Sequence, residues 1–282
     1  MENIIDGVLD GVFGGADTVA VIGAGNIGGS IVKGLVRGKF VEAKRITCSD
    51  ICAKALDGLK AFDDGIVTTK DNKRAVRGAR VVIIAVKPWV VESVIDDIKT
   101  ALDYEKQIVV SIAAGVTFEQ LLASLSKPAG RGRVTPSLFR VIPNTAVEVL
   151  SSMTFVAASD ASGDDTALVM GLFRRLGNAL LIDERLMAAG TALASSGIAF
   201  ALRYIRASIE GGVELGFYPH EAQEIVLHTV KGAVDLLLGN NSNPEEEIDR
   251  VTTPGGITIR GLNEMEMSGF TSSVIRGLKA SR

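Results

Sequence analysis

The chain reads as an α/β protein in which a doubly wound sheet domain precedes an all-helical one. Three observations predict this. From Val19 to about Ile182, short runs rich in valine and isoleucine alternate with amphipathic stretches of helical period. Beyond Asp183 no strand pattern continues and long helical patterns take over. The first apolar run leads directly into a glycine cluster, in the stretch VAVIGAGNIGGSIVKGL that starts at Val19.

The predicted strands are VAVI from Val19, ITC from Ile46, VVIIAV from Val81, IVVSI from Ile108, FRVI from Phe139, MTFVA from Met153 and ALLI from Ala179. Runs apolar on both faces suit a parallel sheet covered by helices above and below. The domain boundary is expected near residue 183, giving a dinucleotide-binding domain over 1–183, with 1–17 as an N-terminal extension, and a helical domain over 184–282. In the helical half, ERLMAAGTALASSGIAFALRYIRASIEGGVELG is built from good helix formers and small residues. In YPHEAQEIVLHTVKGAVDLLLGN, Pro219 suits a first turn, Ala222, Val226, Thr229, Ala233 and Leu237 share a face, and Gly239 marks the stop. So much small, apolar surface is hard to bury within one copy, which favours packing against a second.

Composition narrows the function. With 30 basic and 33 acidic residues the chain carries a net charge of -3, and no lysine and arginine cluster offers nucleic acid a binding face. The cysteines, Cys48 and Cys52, are too few for a disulfide framework or a zinc site, so reduced thiols in a cytoplasmic protein are expected, with no metal. MENIIDGVLDGVFGGAD is neither a signal peptide nor a spanning segment, and Arg203 and Arg206 interrupt the apolar run that begins near residue 190. Small-molecule chemistry, without membrane or nucleic-acid partners, is the expectation.

Gly23, Gly25 and Gly28 form G-x-G-x-x-G between a strand and a helix. The first glycine permits the tight turn, the second admits a pyrophosphate against the backbone, and the third brings helix against strand. The amides of Asn26 and Ile27 then open a helix whose positive end favours phosphate. Asp50 closes the second strand about 20 residues beyond, where a carboxylate accepts from ribose hydroxyls and repels a 2′-phosphate. NADH is therefore expected to be preferred, although Ser49 and Lys54 leave room for NADPH. The alternative role for Asp50 is to cap the next helix.

Three further strand-end loops face the same edge. AVKPWV carries Ala85, Val86, Lys87 and Pro88; SIAAGVT carries Ala113, Ala114 and Gly115; RVIPNTA carries Pro143 and Asn144. Small residues let a nicotinamide lie close, and Asn144 offers an amide to its ring or ribose, unless these are plain strand-end turns. In the helical half, DRVTTPGGITIRGL joins the hydroxyls of Thr253 and Thr258 to the amides after Gly255 and Gly256, a way of holding a carboxylate without arginine, or else an ordinary threonine-capped turn. Both histidines, His220 and His228, fall in one helical pattern, so a histidine proton relay in the sheet half is absent. Reduction of a protonated imine needs none, because the electrophile carries its own charge.

These motifs resemble those of the pyrroline-5-carboxylate reductases. VIGAGNIGGSIVKGL, VIIAVKPWVV, VVSIAAGVT and RVIPNTA occur in related dehydrogenases too, whereas DRVTTPGGITIRGL is similar to a D-x-V-T-S-P-G-G-T-T signature specific to this family. The resemblance runs from about Val19 to near the C-terminus. It implies a Rossmann domain followed by a helical dimerisation domain with helices of two subunits interleaved and the substrate site completed across them. It implies reduction of 1-pyrroline-5-carboxylate to L-proline with NADPH or NADH. Gly23, Gly25 and Gly28 would cradle the pyrophosphate; Lys87, Ala113 and Asn144 would line the cofactor; Thr253, Gly256, Ile257 through its amide, Thr258 and Ser196 would form the substrate site, with Thr253 and Thr258 nearest the chemistry. Three departures stand out. ASSGIAF replaces S-G-S-G-P-A-Y, Asp50 and Ile51 replace the Asn-Arg that follows the second strand in many members, and SKPAGRGRVTPSLF is a longer, more basic connection. The rivals are a reductase of another cyclic imine, a β-hydroxyacid dehydrogenase, disfavoured because no lysine lies between Ala194 and Gly212, and a dinucleotide-binding regulatory protein without turnover.

Overall fold

A computed structural model describes residues 17–127 and 134–282. The expected N-terminal extension, apart from Asp17, and residues 128–133 of the basic connection lie outside the described residues. That connection is closed at its base by Lys127 N donating to Val134 O at 3.0 Å. The chain divides into two compact units, one ending at Ser195 and one running from Ser196.

In the first unit, eight strands are described: β1 (Val19–Ile22), β2 (Ile46–Ser49), β3 (Val67–Thr69), β4 (Val81–Ile84), β5 (Ile108–Ser111), β6 (Ser137–Ile142), β7 (Ser152–Ser159) and β8 (Gly177–Leu181). They form one sheet in the order β3-β2-β1-β4-β5-β6-β7-β8. Alternation explains why the central strands β1 and β4 are apolar throughout. Val19, Val21, Val81 and Ile83 pack into the core on one face, and Ala20, Ile22, Val82 and Ile84 into the core on the other, all essentially buried. Helices α1 (Asn26–Arg37), α2 (Ala53–Phe62), α3 (Asn72–Val76), α4 (Val91–Ile98), α5 (Phe118–Leu125) and α6 (Gly163–Arg174) cover them.

Two features differ from the expectation. Strand β3 went unpredicted because it is three residues long, at the sheet edge, with Val67 39% exposed. The sheet is also not wholly parallel: β6 and β7 run antiparallel. The connection between them holds only the 3₁₀ turn Thr145–Val149, too short for the crossover that a parallel pair needs.

Cys48 is buried in β2, and burial, with the Asp50 charge adding to it, pushes its thiol up to about 12. Cys52 is exposed, and both are free thiols.

The first compact unit includes residues 184–195, which pack onto the sheet. Glu184 Oε1 takes Arg140 Nη1 at 2.6 Å and Phe118 N at 2.7 Å, and Met187, in α7 (Met187–Gly190), is buried. A π-helical turn, Thr191–Ser196, follows.

The second unit contains α8 (Gly197–Glu214), α9 (Pro219–Asn240), α10 (Pro244–Val251), α11 (Ile257–Met267) and α12 (Phe270–Ala280). Pro219 opens α9 as expected, with Tyr218 N donating to Glu221 Oε2 at 3.0 Å. The helix stops at Asn241, left-handed with φ 49°, and not at Gly239, which lies in its last turn. Of the predicted α9 face, Ala222 is buried and Val226 and Leu237 are half-buried, while Thr229 and Ala233 are exposed. Large apolar side chains such as Leu202, Leu215, Leu227, Leu238 and Met267 stand exposed. By length and composition the run Glu184–Glu214 would suffice to cross a membrane, so Arg203 and Arg206 do not interrupt it as the sequence argument supposed.

Candidate functional site: a dinucleotide cavity and a carboxylate-binding turn

The glycine motif is resolved into three distinct physical roles. A Cβ on Gly28 would lie 2.0 Å from Gly23 O and 2.9 Å from Ala85 Cβ, so this residue sets the approach of α1 to β1 and β4. Gly23 has φ +103°, and a Cβ there would meet Ala85 O at 2.5 Å. Around Gly25 a Cβ would meet nothing within 4 Å, so the bareness of this position leaves space for a ligand. No side chain caps α1 and its first turn carries no acid, which leaves the helix end available to an anion.

A cavity of about 620 Å³ opens at this loop. Its walls include eleven of the predicted residues: Gly23, Gly25, Asn26, Ile27, Asp50, Ala85, Val86, Lys87, Pro88, Ala113 and Ala114. It adds Ile51, Val90 and Ile112, which the sequence reading did not select. Each belongs to a strand-end loop already singled out, so taking whole loops instead of their small or polar members would have found them. Open volume, bare backbone and an uncapped helix end fit a pyridine nucleotide.

Three predicted residues stand outside the cavity walls. Gly28 acts beneath it, through packing. Ser49 is fully buried and its Oγ donates to Asn72 Oδ1 at 2.8 Å. Asn144 is 8% exposed, its Nδ2 donating to Ala194 O at 3.4 Å while its Oδ1 accepts from Ala146 N at 3.0 Å. Its amide is thus engaged in part by the chain itself, through one Nδ2 hydrogen and one Oδ1 lone pair.

Asp50 does line the cavity, and it also braces it. Oδ2 accepts from Ala24 N at 2.6 Å and Oδ1 from Cys52 N at 2.7 Å. Asp50 does not cap α2, whose N-cap is Cys52 with no side-chain cap, and each carboxylate oxygen can still accept a further hydrogen bond.

In the second unit, α10 and α11 are joined by the Thr252–Gly256 turn. Gly255 is left-handed with φ +72°, and Gly256 N donates to Thr253 O at 2.9 Å. A Cβ on Gly256 would fall 2.6 Å from Thr253 Oγ1, so that hydroxyl rests against the bare Gly256 backbone. No side chain caps α11 and no acid stands in its first turn; Ile257 and Thr258 open the helix exposed. Hydroxyls beside unused amides are the arrangement that a carboxylate accepts. Ser196 is the last residue of the π-helical turn. Phe200, in place of the pattern's tyrosine, points its ring tip at Gly277, where a Cβ would lie 3.9 Å away. Among the described residues no group of three histidine, cysteine, aspartate or glutamate side chains is placed to hold a metal ion.

A family profile described as pyrroline-5-carboxylate reductase dimerisation matches residues 184–282, and one described as NADP oxidoreductase, coenzyme F420-dependent, matches residues 18–115. Pyrroline-5-carboxylate reductase 1 of Dictyostelium discoideum is 37% identical over 275 residues, which cover 93% of this chain but 48% of that protein. Pyrroline-5-carboxylate reductase 2 of the same organism is 34% identical over 276 residues, covering 93% of this chain and 90% of that one. The solved structure of a pyrroline-5-carboxylate reductase from Coxiella burnetii superposes with a TM-score of 0.83 at 28% identity, covering 94% and 96% of the two chains. Fold and site thus define a class, the dinucleotide-dependent oxidoreductases that join a Rossmann-type unit to a helical self-association unit. Within that class the chain belongs to the pyrroline-5-carboxylate reductase family.

Proposed function

We propose that the protein reduces the C=N bond of 1-pyrroline-5-carboxylate to give L-proline, the last step of proline biosynthesis. The observation that carries this reading is the Thr253–Thr258 turn, with its hydroxyls and uncapped helix end, in a chain that also holds the 620 Å³ dinucleotide cavity. When bound, the dihydronicotinamide supplies the hydride. Thr253 and Thr258 hold the substrate carboxylate with the Ile257 amide, and Ser196 contacts the same ligand. The ring nitrogen arrives protonated, so the chain's task is orientation rather than proton donation.

NADH is the preferred donor over NADPH. The Asp50 charge stands in the cavity wall, and its neighbour is the exposed apolar Ile51 instead of a guanidinium. The exposed apolar faces of the helical unit are covered by a second copy, giving a homodimer or a higher assembly in the cytoplasm, without membrane or nucleic-acid partners. Phe200 favours one second reading, a different cyclic imine, because the pocket has lost a tyrosine hydroxyl. Assay of purified protein with 1-pyrroline-5-carboxylate against a six-membered cyclic imino acid tests both: preference for the five-membered ring supports the proposal, and preference for the larger ring replaces it.

A further inference from the structure

The π-helical turn Thr191–Ser196 was not foreseen from the sequence. Such turns are rare, and they recur at functional sites because the wider register re-aims the residues that follow. Here the turn is held on both sides. Gly190 lies flat against Phe155, where a Cβ would stand 2.7 Å from the ring, and Thr191 Oγ1 donates back to Met187 O at 2.7 Å. From the loop after β6, Pro143 O accepts from Ser195 Oγ at 2.9 Å, and Asn144 Nδ2 reaches Ala194 O at 3.4 Å. Asn144 is fixed in turn by Ala146 N on its Oδ1 and by Ser152 Oγ on its own backbone N–H, at 3.0 and 3.2 Å.

Ser195 stands where the reductase pattern S-G-S-G-P-A-Y has its first glycine, which has no hydroxyl to make this bond. Ile198 stands where the pattern has proline, so the chain lacks the fixed φ that proline would impose on the start of α8. The Ser195 tether supplies restraint close to the point where the pattern's proline is missing.

We infer that Asn144 and Ser195 are positioning residues for the substrate and not for the cofactor: together they lock the π-helical turn in the register that presents Ser196. The inference rests on the assignment of Ser196 to the substrate. Both residues act through the backbone, Asn144 on Ala194 O and Ser195 on the loop that carries Asn144, so their effects are coupled.

The test compares wild type with Asn144→Asp, Ser195→Ala and the double variant, all in the full chain. NADH affinity is measured by calorimetry without substrate, KM and kcat with 1-pyrroline-5-carboxylate, and Tm by thermal unfolding. Asn144→Asp keeps the acceptor for Ala146 N but loses the donor; Ser195→Ala loses only the hydroxyl. The expected result is a rise in imino-acid KM of about tenfold for Asn144→Asp and about threefold for Ser195→Ala, with NADH affinity unchanged. The double variant is expected to fall short of the product of the two. Weakened NADH binding with an unchanged KM returns Asn144 to the cofactor and overturns the inference. A lower Tm with unchanged KM makes both residues merely structural and also overturns it. A wild type that does not reduce the imino acid removes the premise about Ser196, a failure distinguishable from the other two because no variant is needed to see it.

Discussion

The Asp50 carboxylate bridges two loops of its own fold, taking Ala24 N at 2.6 Å on one oxygen and Cys52 N at 2.7 Å on the other. A residue expected to read a ribose is therefore also what holds the glycine turn to the end of β2. Asp50→Ala should weaken NADH more than NADPH and should lower stability by about 1–3 kcal/mol, the cost of leaving the partly buried Ala24 amide unpaired. Calorimetry with each cofactor, beside thermal unfolding, separates the two roles. Equal losses for both cofactors would leave Asp50 with the brace alone.

Gly25 and Gly28 should respond to alanine in opposite ways. At Gly28 the new methyl meets backbone at 2.0 Å, so Gly28→Ala should cost about 1–3 kcal/mol in unfolding free energy as α1 is pushed from the sheet. At Gly25 the methyl meets open space, so Gly25→Ala should leave Tm nearly unchanged while NADH affinity falls. Reversal of this pattern would sink the division of labour within the motif.

Thr258→Ala should raise the KM for the imino acid, with NADH affinity unaltered. A lost hydrogen bond to a carboxylate is worth about 1.5–3 kcal/mol, or at least about tenfold in KM. An unchanged KM removes the carboxylate assignment.

Acid stability should depend on Asp165, in α6. Burial acts to raise this carboxyl, but hydrogen bonds from Ser137 and Arg80, together with the Arg80 charge 2.5 Å away, outweigh it and hold it below the usual carboxylate range. A carboxyl depressed in the folded state binds fewer protons there than in the unfolded state. Its contribution is thus fully present above its unfolded pKa and is lost as pH falls through the folded one. Asp165→Asn should lower stability at neutral pH and flatten the acid limb of the stability profile, read from urea unfolding at a series of pH values. An acid limb identical to wild type would contradict the assignment.

The sheet was legible because strands such as Val81–Ile84 are apolar on both faces, which only a doubly covered sheet requires. The cavity was legible for the same reason of geometry: strand-end loops after β1, β2, β4 and β5 must share one edge. Side-chain partners were not legible. Asn144 looks from the sequence like a polar group waiting for a ligand, and only the fold shows that Ala146 and Ala194 also bond to its amide. Nor does a pattern of small residues distinguish an α from a π turn, so Thr191–Ser196 was read as plain helix. Nor did Glu184, an acid in a helical pattern, give any sign that Arg140, in β6, would hold it.

The most direct test of the proposed function is the rate of NADH and NADPH oxidation by purified protein, with and without 1-pyrroline-5-carboxylate, while L-proline is quantified. The account predicts oxidation that depends on the imino acid, proline formed in equal amount, and a higher kcat/KM with NADH. Tight binding of either cofactor with no proline formed would contradict the assigned reaction.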